Sequence, residues 1–309
     1  MGAEIDILPY LILPAAGFLG MYSGAYWGGG SSWLLVPVLL FLGASPMEAA
    51  GISLLQMTVA AAVPVVRQSP SIGWGRGSVG RGLLLPVATA CALFTLLGVT
   101  VNSWTYHKVG GVFFNVIFAL FMLGLCINCL TTKVPNNNAP VHTFTRRDSL
   151  VAFLFGTGIG FFGALFGVAG GVFIRPLLIN KFKLPENIVG PGTRFLQLAT
   201  TSFGGIAYLF WGGDLNEQML IYLGLIILGG VFGFSMGVNL HKKVCDNGYG
   251  PYVNKSFALV TFVVMISLTL RVFNLVSAAK VVMFVVAVAL FAYLYLFGRY
   301  TARHPRRAA

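Results

Sequence analysis

Acidic side chains are scarce in this chain: Asp and Glu number 8 against 20 Lys and Arg, and charged residues make up only 9% of the sequence. So little charge cannot cover the surface of a soluble protein of 309 residues. The few charges fall between long apolar runs, so the runs read as membrane spans rather than one buried core. A span needs about 20 apolar residues, and helices and closed barrels are the backbones that survive in lipid. The runs are continuous rather than alternating, which favours helices.

Cysteine is scarce as well. Four residues are too few for a disulfide framework. Cys126 and Cys129 form a CxxC inside an apolar run, with no second pair or histidine cluster to make a metal site, and are expected to pack. Cys91 and Cys245 have no partner that the sequence identifies. The four histidines (His107, His142, His241 and His304) are scattered in loops and segment ends. No P-loop, HExxH or GxGD occurs, so neither an ATPase nor a membrane-embedded enzyme is expected, and no cofactor. Gly158, Gly160 and Gly163 spell GxGxxG, but no strand precedes them and no ribose-binding acid follows, so they do not form a dinucleotide site. The N-terminus lacks a cationic leader and carries Glu4 and Asp6, so its apolar run is expected to remain as a first span.

The net charge of +12 lies largely in loops and a basic tail with Arg299, Arg303, Arg306 and Arg307. No nucleic-acid module accompanies it; membrane-surface anchoring and topology account for it. The expected partners are therefore the lipid bilayer and a small anionic substrate, with self-association left open. The expected location is the inner or plasma membrane.

What the chain has is apolar length and glycine. Nine apolar segments fall near 8–42, 47–66, 82–104, 109–130, 150–180, 187–211, 217–240, 256–273 and 278–298. Segments 8–42 and 150–180 are too long for one straight crossing, and glycine interrupts both. The polar stretch 131–148 reads as a linker. The organisation expected is an N-terminal transmembrane repeat over 1–130, a C-terminal repeat plus an extra final helix over 149–298, and a tail over 299–309. The repeat is visible at one constant offset, at which Gly28 meets Gly167, Pro37 meets Pro176, Pro46 meets Pro185, Gly51 meets Gly190 and Gly98 meets Gly237. The fold class expected is an all-α polytopic membrane protein of two pseudo-symmetric repeats, each with a glycine-broken first helix, and about eight or nine crossings. With four crossings per half, the halves would run parallel; a re-entrant segment at either break would change that count.

The breaks are Gly28, Gly29, Gly30, Ser31 and Ser32 in the first half, and Gly167, Val168, Ala169, Gly170 and Gly171 in the second. Glycine costs about 1 kcal/mol against alanine in a helix, so such runs unwind it. Unwinding exposes N–H groups and the positive end of the next half-helix, which at membrane depth is tolerated only where buried or cavity-lining. Two such breaks facing one another would make an anion site. Close helix packing is the alternative, since Gly20, Gly24 and Gly28, then Gly163, Gly167 and Gly171, then Gly229, Gly233 and Gly237 are spaced by four. Packing explains the third set fully.

Arg175 and Arg194 lie inside apolar segments, where an arginine costs at least about 2.5–3.5 kcal/mol. The sequence places Glu48 and Glu186 at segment ends, leaving no obvious carboxylate, so the arginines point to an oxyanion held through bidentate donors. The alternative is that they snorkel or cap backbone carbonyls. Neither arginine is mirrored in the first half. Ser53 and Gln56 in the first half, and Thr193, Gln197 and Thr201 around Arg194 in the second, could donate to the same ligand. The expected binding set is thus Gly28, Gly29, Gly30, Ser31, Ser53, Gln56, Gly170, Gly171, Arg175, Thr193, Arg194 and Gln197.

GFLGMYSGAYWGGGSSWLLVPVLLFLGASPMEAAGISLLQ, echoed by GIGFFGALFGVAGGVFIRPLLI and LPENIVGPGTRFLQ, resembles the sulfite exporter TauE/SafE family. The resemblance implies a secondary carrier that exports sulfite, an organosulfonate such as sulfoacetate, or a related sulfur oxyanion. An anion channel, or a carrier of carboxylate or thiosulfate, is the alternative. The chain departs from the family pattern in three ways. GPGTR, with Gly192 and Thr193, stands where a serine-bearing motif is common, and Arg175 stands where an apolar residue is common. The linker and the extra final span are also unusual.

Overall fold

The computed structural model describes residues 8–109, 111–135, 143–168, 170–211 and 217–306. Those residues form helices and turns, with no strand among them. The centre of the 131–148 linker, together with Ala169, His142, Asp214 and Arg307, lies outside the described residues.

The helices, in chain order, are α1 (Leu8–Trp27), α2 (Ser32–Phe41), α3 (Pro46–Gln68), α4 (Leu85–Val109), α5 (Gly111–Thr131), α6 (Arg146–Leu165), α7 (Gly171–Pro176), α8 (Glu186–Trp211), α9 (Glu217–Asp246), α10 (Gly250–Val272) and α11 (Val276–Arg303). Wide turns lead into α4 at Gly80–Leu84 and out of α7 at Leu177–Lys181. Local chemistry sets the starts of two helices. Ser45 and Glu48 close a reciprocal cap on α3, and Thr145 and Asp148 do the same on α6. Six helical stretches among the described residues are long and apolar enough to cross a bilayer: Met47–Ile72, Gly80–Asn102, Arg146–Leu165, Glu217–Asp246, Gly250–Val272 and Val276–Arg303. That is fewer than the eight or nine expected. α8 is long enough, but Glu186, Arg194 and Gln197 lower its apolar character.

Both over-long segments are broken helices that turn back on themselves. After Trp27 the chain reverses: Gly24 packs on the Gly30 carbonyl, and Gly20 faces Ser31. Leu13 and Ala16 of α1 then share a core with Leu35 and Leu39 of α2. The second break repeats this geometry. The Gly29 N–H donates to the Gly24 carbonyl at 2.9 Å, and at the repeat-equivalent positions the Val168 N–H donates to the Gly163 carbonyl at 2.8 Å. Gly170 faces Ile159 just as Ser31 faces Gly20.

This fold-back bears on how helices of the two sequence halves run against each other. Gly51 packs on Tyr208, Leu54 on Gly204, and Thr58 bonds Thr201 at 3.1 Å. Rising numbers on α3 thus meet falling numbers on α8, so these two helices are antiparallel, contrary to the parallel arrangement that four full crossings per half would give.

Long helices are exchanged between the two sequence halves. α1 lies along α9, where Gly229, Gly233 and Gly237 admit the backbone of Pro14, Phe18 and Tyr22. α6 lies along α4, where Gly98 admits the Phe161 carbonyl and Gly160 packs on Cys91. Removing the side chain lets the backbones touch, which is how helices associate where water supplies no hydrophobic drive. The contacts Tyr22·Gly237 and Phe161·Gly98 are related by the same offset that carries Gly28 onto Gly167. Cys126 and Cys129 are free thiols buried in a core with Trp27, Trp33 and Phe257.

Candidate functional site

The end of α1 is where most of the sequence-selected residues converge. A helix leaves its last carbonyls without intrahelical partners. Here three of them accept side-chain donors from the second half: Ala25 O from Arg194 Nη1 at 2.8 Å, Tyr26 O from His241 Nδ1 at 2.7 Å, and Trp27 O from Arg175 Nη1 at 2.7 Å. A carbonyl only accepts, so His241 carries its proton on Nδ1 in this contact. Cationic donors also suit the negative end of the helix dipole. Carbonyl capping, the alternative reading of the arginines, is therefore what the structure displays.

Arg175 also meets a carboxylate. Its Nη2 lies 2.6 Å from Glu186 Oε2, and its Nε donates to Asn254 Oδ1 at 3.2 Å. This corrects the expectation that neither arginine has an acid nearby. Glu186 opens α8 in sequence, but the short α7 folds back and carries that start into the interior, where Glu186 is 0% exposed. Its other oxygen, Oε1, lies 4.0 Å from His241 Nδ1 and has no hydrogen-bond partner among the described residues. Arg194 differs: Nε donates to Gln68 Oε1 at 3.0 Å, and no carboxylate lies within ion-pair distance among the described residues. Arg175, Arg194 and Glu186, all buried, carry a formal net charge of +1 between them.

The two breaks touch. Gly28, with φ +75°, has no room for a side chain because Thr193 Oγ1 sits where its Cβ would be. Gly171 in turn abuts the Gly28 carbonyl oxygen, and Gly167, with φ +63°, abuts Ala50. Thr193 Oγ1 donates to the Gly190 carbonyl at 2.9 Å, and Thr200 Oγ1 accepts from the Gly170 N–H at 3.2 Å.

The polar side chains beside the breaks are only partly satisfied. Ser31 Oγ donates to Gln56 Oε1 at 2.7 Å, and Ser53 Oγ donates to Ser32 Oγ at 3.1 Å. Gln56 Nε2, and both amide atoms of Gln197, are buried without a hydrogen-bond partner among the described residues. Buried polar groups are nearly always paired, and leaving one unpaired costs about 1–3 kcal/mol. Yet the space beside Gly29 and Gly30, walled by Trp33, Val168 and Phe257, is only about 10 Å³. A sulfur oxyanion does not fit there unless the seam opens.

The structure thus brings Gly28, Gly171, Thr193 and the two arginines to one seam. Ser31, Ser53 and Gln56 form a second cluster joined to it through α2. Gln197 sits one helical turn beyond Thr193 on α8. Sequence reasoning missed Glu186, His241, Asn254 and Gln68. The sequence groups His241 with the histidines of loops and ends, but it is a buried residue of α9. Its position supplies a signal, since the repeat offset pairs it with Asn102, which caps the equivalent broken helix by donating to Leu165 O at 2.7 Å.

Comparison with known proteins finds related membrane transporters. The family described as sulfite exporter TauE/SafE matches residues 13–268. The Bacillus subtilis (strain 168) protein named "Probable membrane transporter protein YunE" is 20% identical over 259 residues, covering 77% of this chain and 90% of that one. No solved structure matches. With most of its length inside the family's match, and with broken, apolar helices throughout that region, the chain belongs to the sulfite exporter TauE/SafE family of membrane transporters.

Proposed function

We propose that the chain is a secondary carrier that exports a small sulfur oxyanion, sulfite or an organosulfonate such as sulfoacetate, by alternating access between two inverted repeats. The observation that carries the proposal is the seam where Gly28 of one broken helix meets Gly171 and Thr193 of the other, beside buried arginines whose net charge is positive. A monoanion would complement that charge. In this reading Arg194 supplies the cation, Arg175 a second guanidinium partly offset by Glu186, and the backbone N–H groups of Gly28, Gly30 and Gly171 further donors, joined by those of Gly29 and Gly170 once opening of the seam frees them from the Gly24 carbonyl and Thr200. Ser31, Ser53, Gln56, Thr193 and Gln197 complete the set. The unpaired amides of Gln56 and Gln197 support this, because a ligand would satisfy donors that the protein leaves open.

The antiparallel α3 and α8, and the contacts that recur at the repeat offset, support inverted repeats over 1–130 and 149–298, joined by the 131–148 linker. Inverted repeats with broken helices at the interface are a common carrier design, and rocking one against the other alternates access. The close packing of Gly28 against Thr193 and Gly171, with only about 10 Å³ of space beside the neighbouring Gly29 and Gly30, favours such a carrier over a fixed pore. An interior-negative potential drives an anion outward by about 2.3 kcal/mol per charge per 100 mV, which sustains a gradient of about 40-fold.

The test is flux of sulfite, sulfoacetate, thiosulfate and acetate in proteoliposomes. Saturable sulfite flux with counterflow is expected. Non-saturating flux with single-channel currents would replace the carrier with a channel, and transport of acetate alone would remove the sulfur oxyanion.

A further inference from the structure

Two cations outside the seam lie against one aromatic ring. Arg271 Cζ lies 5.1 Å, and Lys280 Nζ 5.3 Å, from the ring centroid of Phe41 at the end of α2. Neither has a carboxylate within ion-pair distance among the described residues. Arg271 Nη1 is buried and has no hydrogen-bond partner there. With no carboxylate to offset either charge among the described residues, an anion beside the ring is attracted by both.

The surroundings specify the anion. Lys280 stands at one end of a cavity of about 880 Å³ between α1, α2, α9 and α11. Apart from Tyr10, Gln218, Tyr222 and Lys280, its wall is apolar, including Leu19, Val38 and Ala287. From Lys280 to Ala287 the groove follows α11 for about 10 Å at 1.5 Å per residue. A bare oxyanion has no use for such a wall, but an acyl chain does. Arg271 closes α10 and Lys280 opens α11, so both sit at helix ends, the level where headgroups lie. Phe273 and Leu275 between them are 70% and 53% exposed, as apolar side chains set against lipid are. Both cations also lie beyond residue 268, where the family match ends.

We infer that Arg271 and Lys280 hold the phosphate of an anionic phospholipid, with one acyl chain lying in the groove between α1 and α11. Tails gain little by leaving bilayer for groove, because lipid is as apolar as the wall. Selectivity therefore comes from the headgroup charge, and two cations at the surface give a preference on the order of ten- to thirty-fold for an anionic over a zwitterionic lipid.

The test uses the full chain in mild detergent and native mass spectrometry with phosphatidylglycerol and phosphatidylcholine of identical chains. The wild type is expected to retain phosphatidylglycerol preferentially, and Arg271→Gln with Lys280→Gln to lose the preference. Lys280→Gln alone changes an exposed side chain and is expected to weaken the preference, which keeps the test decisive if the double variant does not fold. Ala287→Trp, which fills the groove, is expected to reduce binding of both lipids. Excess inorganic phosphate is expected to leave the lipid bound. Equal retention of the two lipids by wild type, or an unchanged preference in both charge variants, overturns the inference. Displacement of the lipid by phosphate alone would assign the cations to a small free oxyanion instead.

Discussion

The two broken helices end alike in backbone and unlike in chemistry. At the end of α1, the carbonyls of Ala25 and Tyr26 are capped by Arg194 and His241. At the end of α6, the equivalent carbonyls of Ala164 and Leu165 are capped by Tyr208 Oη at 2.9 Å and Asn102 Nδ2 at 2.7 Å, and Asn102 also donates to Tyr208 at 2.8 Å. Both ends need donors, because a helix C-terminus buried without them strands polar carbonyls. Either set satisfies that need. The first uses charge, at a desolvation cost that neutral capping avoids. The extra cost at one end only points to a task beyond folding, in keeping with the proposal that the anion binds on the α1 side of the seam.

Breaking the buried pair should have the largest effect. Arg175→Met or Glu186→Gln strands its partner in the interior and should cost about 3–5 kcal/mol, whereas replacing both by apolar residues should recover most of it. Thermal unfolding in detergent reads this. A single variant as stable as wild type would show that the pair is not desolvated. The neutral end offers no counterpart of that size.

The backbone comparison should be nearer to even. Gly28→Ala and Gly167→Ala each force a side chain into a left-handed conformation and against a neighbour, Thr193 and Ala50 respectively. Each should cost about 1–3 kcal/mol. Gly43→Ala, at φ +89° in open space, should cost only the conformational part of that. If Gly167→Ala proved silent while Gly28→Ala was severe, the equivalence of the two breaks would fail. The smallest effect on transport should come from Tyr208→Phe, which removes the hydrogen bond donated to Ala164 O and the one accepted from Asn102, each worth about 1 kcal/mol, and should leave flux intact.

How much of this was legible follows from the same comparison. The membrane class, the positions of both breaks and the constant offset between the halves are local properties of composition and spacing, and the sequence displays them directly. The fold-back after Trp27 was not legible, because a glycine run permits a bend, a kink or a reversal, and only packing of Leu35 and Leu39 on Leu13 and Ala16 decides among them. The rest followed from that one ambiguity. A straight second segment would put Glu186 at a membrane surface. A reversed one buries it against Arg175 and turns α8 antiparallel to α3. His241 was hidden for another reason: a single histidine at the end of an apolar run looks like a boundary until the α1 carbonyl it caps is known.

Sulfite counterflow in proteoliposomes for Arg194→Gln beside Tyr208→Phe tests the asymmetry most directly. The two variants alter equivalent caps, one charged and one neutral. The account predicts that Arg194→Gln abolishes saturable flux while the protein remains folded, that Arg194→Lys restores part of it, and that Tyr208→Phe transports like wild type. Equal flux in Arg194→Gln and wild type would show that the charge at the end of α1 serves folding alone.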